Sequence, residues 1–155
     1  MLVHEFLEAS AERTPSKLAL ICDGERLSYA QLDESANRVA NGLLDAGIER
    51  GDRVGVWLPN SVDAVTAILA IVNPGGTFVV INPTTKPAKL AYVLGNCQAR
   101  CLFAPKARAG QVSTMMGTLP DLALAVLCGA PATTEIDAAS SLLRIDDLLA
   151  HSLSA

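Results

Sequence analysis

Few residues in this 155-residue chain could do chemistry. Cys97 and Cys101 form a C-x-x-x-C pair, Cys22 and Cys128 stand apart, and His4 and His151 are the histidines that could join them. Zinc sites use more tightly paired cysteines, so the four thiols read as small buried hydrophobes rather than ligands. Asp63 with His4, or Ser61 with either histidine, would supply residue types of a hydrolytic triad. The chain has no G-x-S-x-G elbow to present a serine above a sheet. Gly47, Gly51 and Gly55 recur every four residues without making G-x-G-x-x-G. Gly75-Gly76 precedes an apolar strand, whereas a phosphate loop follows a strand and opens a helix with Lys-Ser/Thr. Both sets read as turn glycines, and Asp146-Asp147 reads as the acidic first turn of a helix. Residue chemistry thus yields no catalytic, cofactor-binding or metal residue.

Composition narrows the function classes. Half the residues are hydrophobic and only 18% are charged, below the usual share of about 25%. A domain so poor in charge is expected to lay a large apolar face against a partner or to be one piece of something larger. A net charge of −4 and a pI near 5.1 argue against nucleic acid. Glu5, Glu8 and Glu12 interrupt what would have to be the apolar core of a secretory signal. The expectation is a cytoplasmic protein in which disulfides do not form.

The elements that position these residues are organised around Ile68 to Pro83, the middle of an uncharged run from Ala64 to Thr85. Asn73-Pro74-Gly75-Gly76 breaks that run where a membrane helix would need continuous backbone hydrogen bonding. It therefore reads as buried helix, turn and buried strand. Pro74 stops the helix, Gly75 or Gly76 takes the left-handed cap, and Thr77 to Ile81 is β-branched or aromatic throughout. Apolar on both faces, that strand is expected inside the sheet, with helices on both sides.

Before it, Leu2, Phe6, Leu7 and Ala11 recur at helical spacing. Lys17 to Cys22, the Asp23-Gly24 turn and Arg26 to Ser28 read as a hairpin. Ser28 and Gln31 make a capping box opening a helix to Ala46, with Leu32, Ala36, Val39, Ala40, Leu43 and Leu44 inward and Gly47 as its stop. A strand from Arg53 to Leu58 follows, with Ser61 or Asn60 capping the central helix.

After the central strand, Thr85 is expected to cap a helix from Lys86 to Cys97 with Leu90, Val93 and Leu94 inward. Arg100 to Ala104 reads as a strand, Ala107 to Met116 as a helix and Leu122 to Cys128 as a strand. Residues 130–141 read as a loop, Leu142 to Ile145 as an extended piece, and Asp146 to His151 as a short helix. Residues 152–155 read as a flexible tail. The whole of 1–155 reads as a single α/β domain: a mostly parallel sheet flanked by helices, with an N-terminal β-hairpin.

The order of four segments resembles the N-terminal part of AMP-forming acyl-CoA synthetases and ligases, a superfamily that includes peptide-synthetase adenylation domains and luciferases. LSYAQLD from Leu27 is similar to the family's first core motif, L-[ST]-Y-x-E-L, with Gln31 in place of Glu. GIERGDRVGVWLPN from Gly47 follows. Ile68 to Pro83 resembles the second motif, L-K-A-G-x-x-Y-V-P-[IL]-[DN]-P, departing at Asn73, Pro74 and Val80. LAYVL from Leu90 completes the match, which covers Leu2 to Pro105.

The resemblance implies a reaction in which a carboxylic acid such as a fatty acid attacks ATP to form an acyl-adenylate, and a thiol then displaces AMP. ATP, magnesium and coenzyme A or a carrier-protein thiol are implied for full-length relatives, and none for this chain. The family's phosphate loop, aromatic-Thr-Glu motif, ribose-binding Asp and catalytic Lys lie downstream of the matched region, and the chain stops at Ala155. No residue here is therefore carried over as catalytic or nucleotide-binding, and the chain alone is expected to be inactive. Two readings follow. One is a scaffold piece whose apolar face meets the rest of a ligase chain. The other is a stand-alone, truncated, non-enzymatic relative that binds a partner or itself through the same face.

Overall fold

The computed structural model describes residues 2–129 and 141–150. Among the described residues, seven strands and six α-helices alternate largely as the sequence predicts. Helix α1 (Val3–Arg13) leads into the hairpin of β1 (Leu18–Cys22) and β2 (Glu25–Ser28). The two strands are antiparallel. They turn at Asp23 and Gly24, whose φ values of 48° and 82° are those of the mirror-image turn that matches strand twist.

Helix α2 (Tyr29–Asp45) opens on the predicted box: Ser28 Oγ accepts from Gln31 N at 3.2 Å, and Gln31 Oε1 accepts from Ser28 N at 2.9 Å. It closes at Gly47, where φ is 93°. The Gly47 N–H donates to Leu44 O and the Ile48 N–H to Leu43 O, satisfying carbonyls at the end of the helix. Leu32, Ala36, Val39, Ala40 and Leu43 are buried as expected. Leu44 is exposed, because it lies at the rim of the stripe beside Leu43 rather than one turn along. On α1 only Leu7 is buried, while Leu2 and Phe6 face solvent.

From here the chain builds a five-stranded parallel sheet in the order β4-β3-β5-β6-β7. Strand β3 (Arg53–Val56) runs into α3 (Val62–Val72), whose first turn is capped by Ser61 Oγ accepting from Ala64 N at 3.1 Å. Helix α3 ends at Asn73-Pro74, and Gly75 takes the left-handed turn at φ 86°. Strand β4 (Thr77–Val80) follows, then α4 (Pro87–Asn96), β5 (Cys101–Pro105), a 3-10 turn (Lys106–Arg108) and α5 (Ala109–Met116). Strands β6 (Leu124–Cys128) and β7 (Leu142–Arg144) and helix α6 (Ile145–Leu149) complete the fold. The expected loop lies outside the described residues except for Ser141, and His151 and the expected tail lie wholly outside them.

Alternation along the strands separates two cores. Val54, Val56, Cys101, Phe103 and Val126 face α2, α3 and α6, while Leu102, Ala104, Ala125 and Leu127 face α4 and α5. Each fully buried Leu or Val contributes roughly 1.5–3 kcal/mol to folding. The hairpin packs separately, on Leu7, Leu32 and Ala36.

Two expectations are corrected. The apolar strand at the centre of the sequence is not inside the sheet: β4 is hydrogen-bonded to β3 alone and forms an edge. Its unbroken apolar character reports a need for cover without saying where the cover comes from. The cap of α4 is Lys86, not Thr85. Pro87 keeps the preceding residue extended and fits the first helical position, where no N–H is needed.

Candidate functional site

In doubly wound sheets, ligands lie outside the carboxyl ends of the strands where strand order reverses. Here that point falls between β3 and β5, since α3 leaves β3 toward one face and α4 reaches β5 along the other. Trp57 stands there, one residue past β3, its N–H donating to Phe103 O at 2.9 Å. Its indole is fully buried, and its Nε1 has no hydrogen-bond partner. The Arg108 guanidinium lies over the ring, 4.8 Å from the centroid, a cation–π contact.

Beyond β5 and β6 the carboxyl ends carry titratable groups. Lys106 is buried, with Nζ 3.9 Å from Asp146 Oδ2. Asp63, in the first turn of α3, accepts a backbone hydrogen bond from Gly129. Burial raises its pKa above the ordinary value, with the Asp146 and Glu25 carboxylates adding to the effect and the Gly129 bond opposing it. Burial also pushes the Cys128 thiol far up, helped by Asp63 and Asp146 and opposed by Lys106. Of these groups, Asp63, Asp146 and Glu25 border a cleft of about 740 Å³ that Arg26 and Arg38 also line.

This arrangement holds Cys128 as an unreactive thiol. Among the described residues, Lys106 is engaged with Asp146, Arg108 with Trp57 and Gln111, and Arg38 with Glu34 at 2.8 Å, which leaves Arg26 as the one cation lining the cleft without such a partner. That set does not fit a nucleoside triphosphate, which needs convergent free donors around its phosphates.

The second feature is the open side of the sheet. Strand β4 exposes Phe78 (41%) and Val80 (61%), and β1 exposes Ile21 (57%) across from it. Between them runs an apolar groove of about 270 Å³, lined by Leu20, Ile21, Leu58, Ile68 and Val80 and ending at Asn60.

The residues singled out in the sequence are dispersed. Cys97 caps the end of α4, and Cys101 is buried in β5. Ser61 serves as a helix cap. His4 lies in a groove with Asn73, Pro74 and Gly75, beyond the C-terminal end of α3. Ser61 and Asp63 occupy the other end of that 11-residue helix, roughly 16 Å away, so no triad with His4 assembles. Asp146 and Asp147 form the first turn of α6 as expected. Gly55, grouped in the sequence with turn glycines, is instead within β3, where a Cβ would come within 2.9 Å of Leu94 and Leu102. Sequence reasoning missed Lys106 and Arg108. Their signal was positional: basic residues directly after an apolar strand, at the carboxyl end of a parallel sheet.

The profile of one family, described as AMP-binding enzyme, matches residues 7–146. The chain belongs to this family. A medium/long-chain-fatty-acid–CoA/3-oxocholest-4-en-26-oate–CoA ligase of Mycobacterium marinum is 32% identical over 120 residues, 77% of this chain and 22% of the relative. A mitochondrial medium-chain acyl-CoA ligase of Rattus norvegicus is 41% identical over 106 residues, 67% of this chain and 17% of the relative. Among solved AMP-binding enzymes, an anthranilate CoA ligase in complex with anthranoyl-AMP superposes with a TM-score of 0.85 at 26% identity, covering 100% of this chain and 28% of that one. The chain thus spans about a fifth of the length of the curated relatives it matches. No helix among the described residues is long and apolar enough to cross a membrane.

Proposed function

We propose that this chain is the N-terminal scaffold portion of an AMP-forming acid–thiol ligase. The observation that carries the reading is the family match over residues 7–146, in a chain that spans about a fifth of its relatives. The complete ligase activates a carboxylic acid, of the fatty-acid class that the acyl-CoA ligase relatives suggest, with ATP and magnesium. It then passes the acyl group to coenzyme A or a carrier-protein thiol. Within it, the described residues form one α/β layer. Four free thiols, two of them partly exposed, suit a cytoplasmic, reducing setting.

Alone, the chain carries out neither step. Supplying fatty acid, ATP and magnesium to the isolated 155 residues gives no pyrophosphate above a protein-free control; release above that control overturns the scaffold reading. The apolar groove beside β4 also suits a stand-alone module that dimerises. A monodisperse dimer persisting at low concentration would favour that reading instead.

A further inference from the structure

The free edge of β4 carries a further inference, which rests on the scaffold reading. The Thr77 N–H donates to Asp52 O at 2.8 Å and the Ile81 N–H to Val56 O at 3.0 Å, both toward β3. In a parallel ladder successive residues alternate in the side to which they direct their backbone groups. The N–H and C=O groups of Phe78 and Val80 therefore point away from β3, to the open edge. Stand-alone proteins blunt such an edge with Lys, Pro, bulges or short irregular strands. Here the strand reads TFVV, within a stretch from Ala64 to Thr85 that has no charge.

Parallel sheets are covered on both faces, yet β4 is open on the face it shares with Val54 and Val56. Phe78 and Val80 are in register with those two residues, whose own side chains α2 and α3 bury. The apolar groove between Ile21 and Val80 continues this uncovered face.

We infer that β4 is completed by a β-strand from the remainder of the ligase polypeptide. That strand pairs with the backbone of Phe78 and Val80 and lays alternate apolar side chains toward the Ile21–Val80 groove. The occupant is assigned to the same polypeptide because the relatives are several-fold longer than this chain. Its own apolar residues would supply the missing cover, converting β4 from an edge into an inner strand.

The test is amide hydrogen exchange, resolved at Phe78 and Val80, on the 155-residue chain and on the natural gene product isolated from its own cells, whose mass is read in the same experiment. In a longer product both amides slow by roughly a hundredfold or more relative to the 155-residue chain, as expected for a newly paired strand. Val80→Lys lowers the melting temperature of the longer product and leaves that of the 155-residue chain unchanged. A longer product in which both amides exchange as fast as in the short chain overturns the inference while leaving the scaffold reading intact. A product of the short chain's mass removes the scaffold reading itself. If the amides are also protected in that short product, a second copy is the occupant and the assignment to one polypeptide is wrong.

Discussion

Gly42 of α2 faces Leu148 of α6 so closely that a Cβ on the glycine would lie 2.5 Å from Leu148 Cδ2 and 3.4 Å from its Cβ and Cγ. Both residues are buried. The contact joins the last described helix to the second one and helps close the core on that face of the sheet.

Gly42→Ala therefore has opposing effects. It gains about 1 kcal/mol of helix propensity and incurs about 1–3 kcal/mol of overpacking against a buried leucine. A net loss of about 1 kcal/mol is expected in urea denaturation. In a Leu148→Ala background the clash is gone, and the same substitution becomes neutral or stabilising. A stabilising Gly42→Ala in the parent chain would mean that α6 does not sit on α2.

Asp63 gives a pH prediction. Burial, Asp146 and Glu25 raise its folded pKa, outweighing the hydrogen bond from Gly129 and the favourable end of the α3 dipole. A carboxyl whose folded pKa exceeds its unfolded value binds its proton more readily when folded. Its ionisation therefore costs stability above the folded pKa, and that cost is relieved as pH falls toward the unfolded value. Asp63→Asn removes the charge and keeps an acceptor for Gly129. The variant is expected to be more stable than the parent at about pH 7, with the difference shrinking toward about pH 4. A variant less stable at neutral pH would show that the dipole and the Gly129 bond dominate.

The thiols should fall into two classes. Cys22 and Cys97 are partly exposed, whereas Cys101 and Cys128 are buried with thiol pKa values raised mainly by burial. An aromatic disulfide reagent should modify Cys22 and Cys97 in the native chain and reach Cys101 and Cys128 only on unfolding. Rapid native labelling of Cys128 would contradict the cluster it forms with Asp63, Asp146 and Lys106.

Much of the fold was legible because local chemistry and global position agree. Ser28 and Gln31 announce α2, Asp23-Gly24 announces the hairpin, and Gly47 ends a helix in the one conformation that leucine or alanine would resist. The parallel order followed from strands alternating with helices. Trp57 lies in an apolar strand run and is shielded. What was not legible depends on partners outside each segment. The run from Thr77 to Ile81 says that β4 needs cover on both faces, not which residues supply it. Gly42 carries no periodic signal, since its role is set by Leu148 far along the chain. The carboxyl-end cluster was hidden for the same reason: Asp63, Lys106, Cys128 and Asp146 meet only once β5, β6 and α6 are placed. The family motifs reached further than residue chemistry because they record a whole fold.

The central claim, that these residues are one layer of a larger ligase, is tested most directly by the intact mass of the natural gene product detected in its own cells with an antibody against this chain. The account predicts a species several-fold heavier than 16.2 kDa. A species at 16.2 kDa with none heavier would contradict it.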